Sequence, residues 1–154
     1  MVMRTRYEYR HTVTLDETNL LGNVYFAHYV RWQGHCRELF LRTYAPSVFA
    51  ELDASQAIVT TRCGCEYLAE LMAFDEVAVR MHAGEVTTNR LTLLFEYWRI
   101  GENGEELVAR GEQQLAWLVR DGARFLPDQV PDELLTAIDA YLRGNQPAAI
   151  GADT

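Results

Sequence analysis

Two polar side chains, Gln33 and Arg37, stand one helical turn apart inside an otherwise apolar stripe. Placed on a helical wheel at about 100° per residue, Tyr29, Val30, Trp32, Cys36, Leu39, Phe40, Leu41 and Tyr44 share one broad arc. Arg31, Gly34, His35, Glu38 and Arg42 fall on the other side. A guanidinium within the apolar arc needs an anion or several acceptors, because burying it unpaired costs several kcal/mol. Two readings follow. Arg37 snorkels out or pairs with a carboxylate of the same fold, such as Glu66 or Glu70; or it faces a cleft where a carbonyl or carboxylate binds. Glu38 points to the solvent side, which makes it a poor buried general base.

The loop Asp16-Glu17-Thr18-Asn19-Leu20-Leu21-Gly22-Asn23 precedes this helix. A helix start offers unpaired N–H groups and a positive dipole end, which suit a developing oxyanion. The ordinary alternative is capping: Asn19 or Asn23 satisfies the first turn and Gly22 makes the bend. His28 and His35 lie seven residues apart without a third ligand, so no metal site is expected. Thr60 and Thr61 present a hydroxyl to each face of a strand. Cys63-x-Cys65 lacks zinc spacing and, with Cys36, reads as packed, reduced thiol. No G-x-S-x-G, P-loop or G-x-G-x-x-G is present.

The elements that must position these groups are legible from periodicity. Tyr7 to Leu15 alternates as a strand, with Tyr7, Tyr9, His11, Val13 and Leu15 on one face. Val24 to Tyr44 reads as one long helix ended by Pro46. Strands follow at Ser55 to Leu71, Asp75 to Val86, Arg90 to Ile100 and Leu107 to Val119, with turns at Gly101–Gly104 and Asp121-Gly122. A short piece ends at Pro127, and Pro131 opens a final helix over Asp132 to Leu142. One helix cannot cover both faces of such a sheet. The expected architecture is therefore α+β, an antiparallel sheet wrapped around the helix, with at least a dimer. Residues 1–143 read as one domain and 144–154 as a Gly/Pro/Ala-rich tail.

Composition narrows the function. A net charge of -8 argues against nucleic acid and anionic lipid as partners. All fourteen basic residues are arginine, so an anionic ligand would meet planar, bidentate groups. The start MVMRTRYEYR has no apolar core, so a signal peptide is not expected, and no run of about 18 apolar residues suggests a membrane span. A cytoplasmic protein is the expectation.

The run Leu15 to Trp32 resembles the 4-hydroxybenzoyl-CoA thioesterase group of hot-dog proteins: an acidic loop, a Gly, an aromatic step, a Tyr and an aromatic-rich helix. It is more closely similar to the thioesterases of enediyne polyketide biosynthesis, through Tyr25-Phe26-Ala27-His28-Tyr29, Trp32-Gln33-Gly34 and Arg37-Glu38. The resemblance runs less specifically from Tyr7 to about Leu142. It implies a hot-dog fold and hydrolysis of an acyl thioester. In the hydroxybenzoyl-CoA enzymes a loop aspartate is nucleophile or base; aligned on the following Gly, that position here is Asn19. A neutral amide cannot accept a proton as a carboxylate can. For the enediyne group the resemblance implies water attack, with Asn19 orienting water or substrate and Arg37 stabilising negative charge. It also implies that backbone N–H groups near Phe26 polarise the carbonyl, and that Tyr29 and Thr60 are pocket groups.

The substrate implied is a polyene, β-keto or β-hydroxy, on the acyl carrier protein of an iterative polyketide synthase. Its β-keto acid product can lose CO2. No cofactor is implied. The implied assembly is a homotetramer, a dimer of dimers. Tyr25, Phe26, Tyr29, Trp32 and Phe40 either line a channel for the flat chain or simply pack the core, and Gln33 is a further substrate-binding candidate. Two other functions stay open on the sequence: a general acyl-CoA thioesterase, and a non-catalytic hot-dog protein that binds an acyl ligand.

Overall fold

The computed structural model describes residues 6–52 and 55–143. The expected tail from 144 onward lies outside the described residues. Strand β1 (Tyr7–Thr12) leads through a 3-10 turn, Leu15–Glu17, into the loop and then helix α1 (Ala27–Tyr44). A short helix α2 (Ser47–Glu51) follows, then β2 (Gln56–Tyr67), β3 (Glu76–Val86), β4 (Arg90–Gly101), β5 (Gly104–Asp121) and β6 (Arg124–Pro127). Helix α3 (Asp132–Ile138) continues as a wide π-helical turn, Asp139–Arg143.

The strands form one antiparallel sheet in the order β1-β3-β4-β5-β2, with β6 paired to β5. Helix α1 touches both outer strands, β1 and β2, as well as β3 and β5. The sheet therefore curls around the helix, as the α+β hot-dog reading expects. Alternation explains the contact. Leu91, Leu93, Phe95 and Tyr97 of β4 and Val77, Val79 and Met81 of β3 are buried on the helix side. They close on Tyr29, Trp32, Cys36 and Phe40 of α1. Among the described residues, strand β2 pairs only with β5, so its other edge has no strand partner there.

Several boundaries differ from the sequence reading. The first strand stops at Thr12, and Leu15 is 67% exposed rather than on its inner face. The long helix starts at Ala27, not Val24, because the Val24 N–H is taken by the Leu71 carbonyl and Val24 bridges Thr18. Pro46 ends α1 but also begins α2, which the sequence reading lacked. No helix among the described residues is long and apolar enough to cross a membrane.

Candidate active site

The loop that carries Asn19 is rooted by a buried carboxylate. Glu17 accepts hydrogen bonds from Trp32 Nε1 at 2.9 Å and from the Thr14 N–H at 3.0 Å, and pairs with His11 Nε2 at 2.8 Å. His11 is in turn 2.9 Å from the Tyr9 hydroxyl, and its ring lies against Trp32. Burial alone would raise the carboxyl pKa. The Thr14 N–H, His11 and Trp32 outweigh that and bring it down to about 2. The Glu17 carbonyl accepts the Tyr25 N–H, and the Asn19 N–H bonds the Asn23 carbonyl. Strand β1, the loop and α1 are thus tied at one point.

Above this root, Asn19 is exposed. Its Oδ1 accepts the Leu21 N–H at 2.9 Å in an Asx turn, and Gly22 at φ +90 makes the bend. Asn19, Tyr25, Phe26, Tyr29 and Tyr67 border a depression of about 320 Å³. Tyr67 donates to the Phe26 carbonyl at 2.8 Å, and its ring meets Tyr29 edge-on. Burial pushes the Tyr29 phenol up to about 12, so it stays neutral. No side chain caps α1, which removes the capping role from Asn19 and Asn23; the Asn23 amide reaches Glu70 instead. No side-chain acceptor meets the first turn of α1, where the His28 N–H bonds the Tyr25 carbonyl.

Arg37 lies further along the same helix, about 15 Å beyond Ala27 at 1.5 Å per residue. Its Nη1 donates to Gln113 Oε1 at 2.6 Å. Gln113 Nε2 donates to Gln33 Oε1 at 3.3 Å, and Gln33 Nε2 to the Gly64 carbonyl at 3.0 Å. Of the two readings, the one with a carboxylate partner is not met by Glu66 or Glu70: the near partner of Arg37 is a glutamine of β5. Among the described residues the one carboxylate near Arg37 is Glu38, at 3.6 Å and 60% exposed, on the solvent side as the wheel required. Burial lowers the guanidinium pKa, and Glu38 offsets only part of this.

The structure gathers Asn19, Tyr25, Phe26 and Tyr29 at the start of α1, and Gln33 with Arg37 in its middle. It does not bring these two groups into one cavity within a single copy. Thr60, exposed on β2 opposite Leu115, lies in neither. Thr61 is the extra residue of a β-bulge and bonds Gln114. Both groups touch β2, through Tyr67 at one end and the Gly64 carbonyl in the middle. Another concavity, of about 530 Å³, lies elsewhere, among Gly64, His82, Leu94, Arg110 and Glu112. Leu94 and Glu96 alternate with inward residues, so it is on the sheet face away from α1, and its carboxylates do not suit an acyl chain. No group of His, Cys, Asp or Glu among the described residues could hold a metal ion, and Cys36, Cys63 and Cys65 are unpaired.

Three residues escaped the sequence reading. Glu17 had a signal, the Thr14-x-x-Glu17 spacing of a capping box. Gln113 had one too: it stands in phase with inward Leu115 and Trp117 of β5. Tyr67 had none beyond strand alternation.

Residues 13–138 match the family model described as the Thioesterase-like superfamily. Among solved structures, the chain is similar to the Dynemicin thioesterase, studied for induced-fit and allosteric effects upon polyene binding. That match has 47% identity, covers 89% of this chain and 97% of that one, and has a TM-score of 0.84. A 1,4-dihydroxy-2-naphthoyl-CoA thioesterase from Synechocystis shares the fold at 18% identity, covering 86% and 95% of the two chains, with a TM-score of 0.73. A mutant 4-hydroxybenzoyl-CoA thioesterase complexed with 4-hydroxybenzoyl-CoA does so at 14% identity, covering 88% and 99%, with a TM-score of 0.73. No curated protein matches the chain.

Proposed function

Because the chain belongs to the thioesterase-like superfamily, we propose that it hydrolyses a polyene acyl thioester, β-keto or β-hydroxy, carried on the acyl carrier protein of an iterative enediyne polyketide synthase. The observation that carries this reading is the 47% identity to a thioesterase studied for polyene binding, over nearly all of both chains. The aromatic depression at the start of α1 supports it, since Tyr25, Phe26, Tyr29 and Tyr67 suit a flat conjugated chain.

Water is the nucleophile in this reading. Asn19, with no carboxylate in its place, orients the water or the substrate carbonyl. Backbone N–H groups at Phe26 and the first turn of α1 polarise that carbonyl. The water oxygen bonds to the acyl carbon, the C–S bond breaks, and the proton released by water ends on the thiol. Arg37 balances the negative charge of the tetrahedral oxygen. The β-keto acid formed can then lose CO2.

Asn19 and Arg37 are too far apart in one copy to serve one carbonyl. The site therefore takes a second copy. Two chains joined along their free β2 edges around a two-fold axis place antiparallel helices side by side. The start of one α1 then faces Arg37 of the partner subunit. Thr60, on the same edge, joins the pocket in that arrangement, and the dimers pair further into a tetramer. A cytoplasmic location follows from the carrier-protein substrate.

The test is thiol release from acyl-carrier-protein and acyl-CoA thioesters of the same polyene acid. Faster release from the carrier protein is expected. Equal rates would make the chain a general acyl-CoA thioesterase, and no release from either would leave a binding protein.

A further inference from the structure

Arg37 is held in an unusual way for a guanidinium whose side chain is only 22% exposed. Such a group is normally met by a carboxylate. Here the near partner, at 2.6 Å, is the amide oxygen of Gln113, while the one carboxylate near it among the described residues, Glu38, stands back at 3.6 Å and is 60% exposed. Gln113 cannot turn freely, because its own Nε2 is spent on Gln33 Oε1. Gln33 is fixed in turn by the Gly64 carbonyl of β2. The two glutamines are among the few polar side chains buried among the described residues. Gly111 makes room for them: a Cβ there would meet Gln33 Nε2 at 2.3 Å and the Gly64 oxygen at 3.2 Å. The amide directions are consistent along the whole relay. Each acceptor oxygen faces a donor, so Arg37 is oriented by three elements, α1, β5 and β2.

We propose that Gln113, braced by Gln33 across the bare Cα of Gly111, is the positioning residue of Arg37, fixing its guanidinium without neutralising it. A glutamate at the same place would fix the arginine more tightly but cancel the charge the reaction uses. The neutral amide keeps direction and leaves the charge to the ligand. This rests on the reading above, in which Arg37 meets developing negative charge.

The experiment uses the full chain with Gln113→Glu and Gln113→Leu, each also combined with Arg37→Ala. Thermal unfolding, kcat and KM for a polyene thioester, and the 15N NMR signals of the Arg37 guanidinium are measured. Gln113→Glu should keep Arg37 ordered through a direct ion pair, while losing the donor to Gln33 Oε1 and unfolding earlier than the parent. Its kcat should fall about tenfold or more, at nearly unchanged KM. Gln113→Leu should broaden or average the guanidinium signals and also lower kcat. Neither substitution should lower turnover further once Arg37 is alanine. A merely structural role predicts that kcat follows stability in both variants and falls further when each is combined with Arg37→Ala. Ordered Arg37 signals in Gln113→Leu would overturn the proposal, as would undiminished kcat in Gln113→Glu. If Arg37→Ala alone retains full turnover, the catalytic reading of Arg37 fails. The NMR comparison then still decides whether Gln113 orients it.

Discussion

Replacing Glu17 by glutamine removes one negative charge at nearly constant volume. The carboxyl pKa is 4.5 in the ordinary state and about 2 in the folded chain. Because the folded value is depressed, the stability it supplies is fully present above 4.5 and is lost as the pH falls toward 2. A difference of that size is worth about 3 kcal/mol at neutral pH. Glutamine cannot replace this. The donors at Trp32 Nε1 and the Thr14 N–H converge on two oxygens, and one of those would become an NH2. Urea unfolding at pH 7, at one protein concentration, should show the variant's midpoint lower by about 1–3 M, using typical urea slopes. Repeated at falling pH, the gap between parent and variant should narrow below 4.5 and close below about 2, where the carboxyl is protonated in both states. A variant equal to the parent at pH 7, or a gap that stays constant with pH, would refute the claim that this carboxylate anchors the loop.

Other outcomes follow from the same geometry. Arg37→Ala should lower turnover by about two orders of magnitude, as loss of an oxyanion donor does, whereas Glu38→Gln should change it little; steady-state thiol release distinguishes them. Asn19→Ala should lower kcat by a similar order, about a hundredfold, yet move the melting temperature little, since the side chain is exposed and makes one local bond. Gly22→Ala should destabilise by about 1 kcal/mol or more in thermal unfolding, because φ is +90 there and a Cβ would also press on Met72 at 3.3 Å.

The sheet and the end of α1 were legible because the signals are local. Strand alternation ran through β3 and β4, and Pro46 closed the helix. The start of α1 was not, because nothing local marks Val24. Its N–H is claimed by Leu71, which is distant in sequence. Helix α2 is five residues long, too short for an apolar period to show. For the site, the wheel isolated Gln33 and Arg37 and set Glu38 aside, as found. The partner of Arg37 stayed hidden because Glu112, Gln113 and Gln114 form a polar run. Gln113 shares the phase of inward Leu115 and Trp117, but Ala116 and Leu118 make the other phase of β5 apolar as well, so alternation alone does not say which face is inward. Glu17 was hidden for another reason. A carboxylate in a loop reads as solvated unless the Trp32 and His11 donors that surround it are known.

In the proposed two-fold pair, Asn19 of one chain shares a pocket with Arg37 of the partner subunit. Two inactive chains should therefore complement one another. In a mixed pair, one built with Asn19→Ala and the other with Arg37→Ala, both losses fall in the same pocket and the second pocket is whole. Random reassortment of equal amounts would make half the dimers mixed, each with one working site of two, and return about a quarter of the parental rate. Activity would become a property inherited by the pair and carried by neither chain alone.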